Sequence, residues 1–245
     1  MCTASWLRES GALRLFFNRD EKRTRPRAAP PRLEVEDEVR YLAPVDGEAG
    51  GTWILVNEFG LAAFLLNRNG RAAAAGAPSR GAVLRSLGAA RSLEELAERL
   101  ARRAIDGVAP FTVAALAHAP ARALRAIWDG ERLAFDELPE GPALLCSSSL
   151  DDARADRHRR LLFAARRAMP GPWTSAAHRR FHASHEPEPS PWSVCMHRAD
   201  AETVSYCEIA IDDERVLLDY LPGPPCRGGR PLRAELARAA RAIPA

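Results

Sequence analysis

The sequence has little net charge and few lysines, and it lacks paired cysteine motifs and long apolar runs. Its Lys+Arg total of 35 nearly balances its Asp+Glu total of 32, a net charge of +3. The acids are interspersed among arginines and Lys22 is the one lysine. That excludes a basic stripe of the kind that tracks phosphates, so no nucleic-acid partner is expected. No apolar run approaches the ~18–20 residues of a membrane-spanning helix. Arg8, Glu9 and Arg14 interrupt any signal-peptide core. Five cysteines, at 2, 146, 195, 207 and 226, form no CxxC pair. An odd number excludes a simple disulfide framework, and no zinc knuckle or other metal motif is recognised. These absences point to a reduced, cytoplasmic chain with no cofactor, whose cysteines are inert by default. Its 245 residues are enough for a full core without staples.

What is present reads as alternating blocks of strands and helices. Residues 2–7 and 12–18 are β-favouring runs around Glu9-Ser10-Gly11 and predict a hairpin. With the turn near Ser10, paired positions sum to about 20. Cys2 then faces Asn18, and Arg19 and Asp20 lie beside the chain terminus. Residues 22–32 (KRTRPRAAPPR) read as a basic, Pro-rich loop, either a solvated connection or a rim for an acidic ligand group. A second hairpin runs from Thr52 to Asn57, turns at Glu58-Phe59-Gly60 and returns from Leu61 to Asn67. It sets Asn67 opposite Gly50 or Gly51. That glycine pair reads as a backbone-packing site, since no GxGxxG or P-loop surrounds it.

Ser92 and Glu95 form a capping-box signature for a helix over 92–104, ended by Gly107. Strands are expected at 111–117, 122–128, 132–136 and 143–147, then helices at 151–168 and 173–184. HEPEPSP (185–191) is a loop. Strands at 193–198, 203–211 and 215–221 and a terminal helix at 231–242 complete the reading. Hairpin linkage implies antiparallel sheets, and the block order implies two sheets with helices on their outer faces in a single domain. His178, His182 and His185 share helical spacing but lack the Glu of HExxH, and read as partly exposed helix residues. Cys195 and Cys207 read as core thiols on adjacent strands, His118 as a turn residue, and Trp53 as a pocket wall.

Cys2 stands apart. Removal of Met1 would make it the N-terminal residue, and its α-amine, with a pKa near ~7.7–8.0, would sit beside its own thiol as a general base. An adjacent arginine lowers a thiol's pKa and a carboxylate holds the ammonium, roles that suit Arg19 and Asp20. The Asn67 amide can donate to the oxyanion of a tetrahedral intermediate.

Several motifs recur in order: Met1-Cys2-Thr3, Asn18-Arg19-Asp20-Glu21 with Arg25-Pro26, Ala49-Gly50-Gly51-Thr52-Trp53, Asn57-Glu58-Phe59-Gly60 and Leu65-Leu66-Asn67-Arg68. Together they closely resemble the NRDE family, also called transport and Golgi organisation protein 2. The likeness extends to Ser147-Ser148-Ser149-Leu150 and Ser193-Val194-Cys195-Met196-His197-Arg198. The resemblance implies an α+β fold, the four-layer αββα sandwich of N-terminal-nucleophile hydrolases, similar to penicillin V acylases and bile salt hydrolases. It implies Cys2 as nucleophile, Arg19 and Asp20 as its orienting pair, and Asn67 as oxyanion donor. Where the acylases carry a second asparagine this chain has Ser147-Ser148-Ser149, and Ser148 is the residue that could donate there. The implied activity is hydrolysis of a C–N amide bond in a small acylated substrate. The alternative is a non-catalytic binding or trafficking role toward haem, acyl-CoA or lipid.

Overall fold

The computed structural model describes residues 2–239. Strands β1 (Cys2–Glu9) and β2 (Ala12–Lys22) form the first hairpin. Their turn is the two-residue Ser10-Gly11, with φ of 51° and 79°. Two positive-φ residues give a turn whose twist matches the flanking strands. The shorter turn moves the register by one, so Cys2 faces Arg19 and Thr3 faces Asn18. Strands β3 (Ala29–Glu36), β4 (Val39–Val45), β5 (Ile54–Asn57) and β6 (Leu61–Asn67) follow. Helices α1 (Arg80–Arg85) and α2 (Leu93–Ala101) come next, then β7 (Phe111–Ala117), β8 (Arg122–Trp128), β9 (Leu133–Leu138) and β10 (Ala143–Ser147). The chain continues through α3 (Asp152–Arg167), α4 (Ser175–His182), β11 (Ala201–Ile211), β12 (Arg215–Leu221) and β13 (Leu232–Ala237).

The strands form two antiparallel sheets, of six (β10-β1-β2-β11-β12-β13) and seven (β3-β4-β5-β6-β7-β8-β9). The period-2 alternation of side chains assigns each face. Ala4, Trp6, Leu15 and Phe17 meet Ile54, Val56 and Phe64 between the sheets. The far face of the larger sheet packs Leu55, Leu65 and Val113 against Leu84 of α1 and Leu96 of α2. The far face of the smaller sheet packs Leu144 against Phe163 of α3 and Phe181 of α4. The layers are therefore αββα, as the resemblance implied. Among the described residues no helix is long and apolar enough to cross a membrane.

That last face is unusually polar. Thr3, Ser5, Asn18 and Asp20 point from β1 and β2 toward α3 and α4 and are buried. Asn18 donates through Nδ2 to the carbonyls of His182 and Val194, which turns its Oδ1 toward His182 Nδ1 at 3.1 Å. His182 Nδ1 then carries the proton, and its Nε2 accepts from Ser5 Oγ at 2.8 Å. Ser5 Oγ in turn accepts from His178 Nδ1 at 2.7 Å. Burial holds His178 down at about 3 and His182 well below its ordinary value, so both stay neutral. These two histidines are fully buried, not partly exposed as their helix-and-loop setting suggested.

Four further sequence expectations are corrected. Residues 29–32 are not loop but the start of β3, an edge strand where Pro30 and Pro31 coincide with a register irregularity. Segment 193–198 makes only one bridge, His197 to Glu202. Its backbone bonds scatter to Ser184, Ser190 and Ala201, so no ladder forms. Cys195 is consequently not on a strand beside Cys207. Residues 232–237 are β13, paired with β12, not helix; positions 240–242 of the expected helix lie outside the described residues.

Candidate active site

The first and second hairpins meet at one end of the inter-sheet space. A pocket of about 150 Å³ opens there, lined by Cys2, Arg19, Asp20, Trp53, Asn67 and Arg80 among others. Gly51 makes the approach of α1 possible. A Cβ at Gly51 would lie 2.4 Å from the Gly81 carbonyl carbon, so backbone packs directly on backbone. That contact brings Arg80 to the pocket wall.

Arg19 is held on two sides. Its guanidinium lies 4.1 Å from the centroid of Trp53 and pairs with the Asp46 carboxylate. Asp46 also accepts from Arg25 at 2.9 Å and from the Ala49 N–H at 2.7 Å. Burial alone would raise the Asp46 pKa, but these donors and Arg19 hold it at about 2. Asp20 is buried and accepts from Thr203 Oγ1 at 2.6 Å. Its other oxygen lies 3.4 Å from the fully buried Arg159 of α3. Arg159 also donates to Thr3 Oγ1 at 2.7 Å, which locks α3 to β1 beside Cys2.

Cys2 is 7% exposed, and burial pushes its thiol pKa up. The Asp20 carboxylate acts in the same direction, while Arg19 and the Asp20 backbone N–H oppose it. A thiol in this setting reacts only if a nearby base takes its proton. Arg80 is near enough to interact electrostatically with Cys2, and burial lowers its own pKa.

Of the five residues singled out from the sequence, Cys2, Arg19, Asp20 and Asn67 line this pocket. Ser148 does not. It belongs to the turn that opens α3, where its N–H donates to Asp152 at 2.6 Å and its Oγ accepts from the Leu150 N–H. Ser147 instead is the residue opposite Cys2 across the β1–β10 ladder. Its buried Oγ has no hydrogen-bond partner among the described residues. Ser147 and Asn67 together line an adjoining cavity. Asp46, Arg80, Ser147 and Arg159 were not singled out from the sequence. The Asp46-Gly47 pair carries a turn signal, but nothing local distinguishes Arg80 or Arg159 from the other arginines.

The profile of the family described as Transport and Golgi organisation 2 matches residues 1–165. No curated protein matches the chain significantly in sequence. Penicillin V acylase from Agrobacterium tumefaciens is similar in structure, with 13% identity, 97% of this chain and 86% of that one covered, and a TM-score of 0.54. A C2A mutant of conjugated bile acid hydrolase from Clostridium perfringens is similar at 12% identity, with 100% and 99% covered and a TM-score of 0.54. An N-acylethanolamine-hydrolyzing acid amidase ortholog from Caenorhabditis elegans matches at 8% identity, with 84% and 92% covered and a TM-score of 0.54. At these identities the likeness is one of fold, the same αββα sandwich.

Proposed function

The chain belongs to the Transport and Golgi organisation 2 family, and from that premise we propose that it hydrolyses the C–N amide bond of a small acylated amine, with Cys2 as N-terminal nucleophile once Met1 is removed. The observation that carries this reading is the convergence of Cys2, Arg19, Asp20 and Asn67 on one pocket. The freed α-amine takes the thiol proton, and the thiolate attacks the substrate carbonyl carbon. The C–N bond then breaks, and the ammonium returns the proton to the departing amine. Water, deprotonated by the same amine, releases the acyl group from the thioester. Asn67 donates to the oxyanion, a contribution of about 2.7–4 kcal/mol in favourable sites. The Ser147 hydroxyl, without a hydrogen-bond partner among the described residues, serves as second donor, in preference to Ser148. Arg19 and Asp20 hold the nucleophile in position. The penicillin V acylase and the acid amidase ortholog among the structural neighbours are amide-cleaving by name, which supports the reaction class.

Haem or acyl-CoA binding rests on the family resemblance alone. The pocket at about 150 Å³ is smaller than the ~300–1,000 Å³ of sites that bury drug-sized ligands. It suits the scissile end of a substrate better than a whole haem. The test is amine release from a panel of N-acylated amines by wild type and Cys2→Ala. The variant is expected to fold normally and to release nothing. Equal turnover by Cys2→Ala would refute the proposal.

A further inference from the structure

Away from the pocket, three segments bring four metal-ligating side chains together. His185 comes from the loop after α4, Cys195 and His197 from the irregular segment before β11, and Cys226 from the 3₁₀ turn Pro225–Arg227 after β12. Their ligand atoms all lie within 4.8 Å of one another. His185 Nε2 and His197 Nε2 are 3.1 Å apart, and His197 Nε2 lies 3.7 Å from Cys195 Sγ and 3.4 Å from Cys226 Sγ. Bond lengths of ~2.3 Å to sulfur and ~2.0–2.1 Å to nitrogen around tetrahedral zinc give edges of about 3.4 Å (N–N) and 3.6 Å (N–S). The two N–S distances lie either side of their edge, and the N–N distance is about 0.3 Å shorter than its own.

The surroundings match the donor set. His197 turns Nδ1 toward the Glu202 carboxylate at 4.0 Å, an ion-pair distance too long for a hydrogen bond; a carboxylate on that side is the kind of outer partner that orients a ligating imidazole once it closes in. We propose that His185, Cys195, His197 and Cys226 form a structural zinc(II) site of Cys₂His₂ type. On binding, each thiol gives its proton to solvent, and two thiolates neutralise the dication. Closed four-coordinate sites of this kind are structural, with no open position for substrate.

The site would fasten the segment that supports the pocket. Met196, between two of the ligands, is hydrogen-bonded in both directions to Thr203, whose hydroxyl holds Asp20. Sequence reading treated Cys195 and Cys226 as inert thiols, because the donors are spread over 42 positions, from 185 to 226, without a CxxC.

Elemental analysis of the full chain is expected to find one zinc per molecule in wild type and in Cys146→Ser, and none in Cys226→Ser. Cobalt(II) titrated into metal-stripped wild type should give the intense visible bands and thiolate charge-transfer band of a tetrahedral site. This second measurement decides the matter even if Cys226→Ser fails to fold. A cobalt spectrum without those bands would overturn the proposal. So would zinc retained in Cys226→Ser, or a Cys195–Cys226 disulfide in protein purified under reducing conditions.

Discussion

Replacing Arg159 with Met removes the guanidinium that α3 brings to the buried Asp20 carboxylate. Arg159 is fully buried and satisfies Asp20 at 3.4 Å, Thr3 Oγ1 at 2.7 Å and the Trp192 carbonyl at 3.3 Å. Breaking a buried ion pair by removing one partner costs about 3–5 kcal/mol, because the other charge loses its ion-pair partner in a low-dielectric site. For a chain of this size that lowers Tm by about 6–20 °C. Urea unfolding followed by circular dichroism measures the loss directly. Removing both charges, in Asp20→Asn with Arg159→Met, should recover much of it, since the buried carboxylate charge is removed along with its guanidinium partner. The exposed pair Arg102–Glu98, 79% and 60% exposed, is the control. There Arg102→Met should cost under about 1 kcal/mol. A loss at Arg159 no larger than that control, or strict additivity in the double variant, would refute the reasoning.

Three further outcomes are expected. Ser5→Ala leaves His178 Nδ1 and His182 Nε2 buried without their shared partner and should cost roughly 1–3 kcal/mol in urea unfolding. Wild-type stability should fall as pH drops below 6.5, the ordinary histidine value, toward about 3. In that window the unfolded chain takes up protons that the folded one refuses; a flat curve in wild type would contradict the neutral buried pair. Gly51→Ala forces a Cβ to within 2.4 Å of the Gly81 backbone, with a cost of about 1–3 kcal/mol; the displacement of α1 that this implies should appear as faster amide exchange over 80–85.

The hairpins were legible because their turns carry local chemistry. Glu58-Phe59-Gly60 and Asp129-Gly130 stand where β5–β6 and β8–β9 turn. The first hairpin was read one residue out of register, because both central residues of its turn adopt positive φ and the loop is shorter than the sequence suggested. Edge strands were the weak point. In β3, prolines mask a strand whose outer edge needs no donors, and in β13 a helix-favouring composition yields to pairing with β12. For the pocket, Cys2, Arg19, Asp20 and Asn67 could be brought together by counting along two hairpins. Ser147 was missed because it reaches Cys2 through β10, a strand more than 140 positions away. Arg80 and Arg159 depend on how helices dock, which pattern alone does not encode.

The central claim is that Cys2 acts as an N-terminal nucleophile, and intact-mass spectrometry after reaction with an activated acyl ester tests it most directly. The account expects a chain beginning at Cys2 that carries one acyl group, mapped by peptide analysis to that residue and absent from Cys2→Ala. A chain that keeps Met1, or acylation that persists in Cys2→Ala, would contradict it.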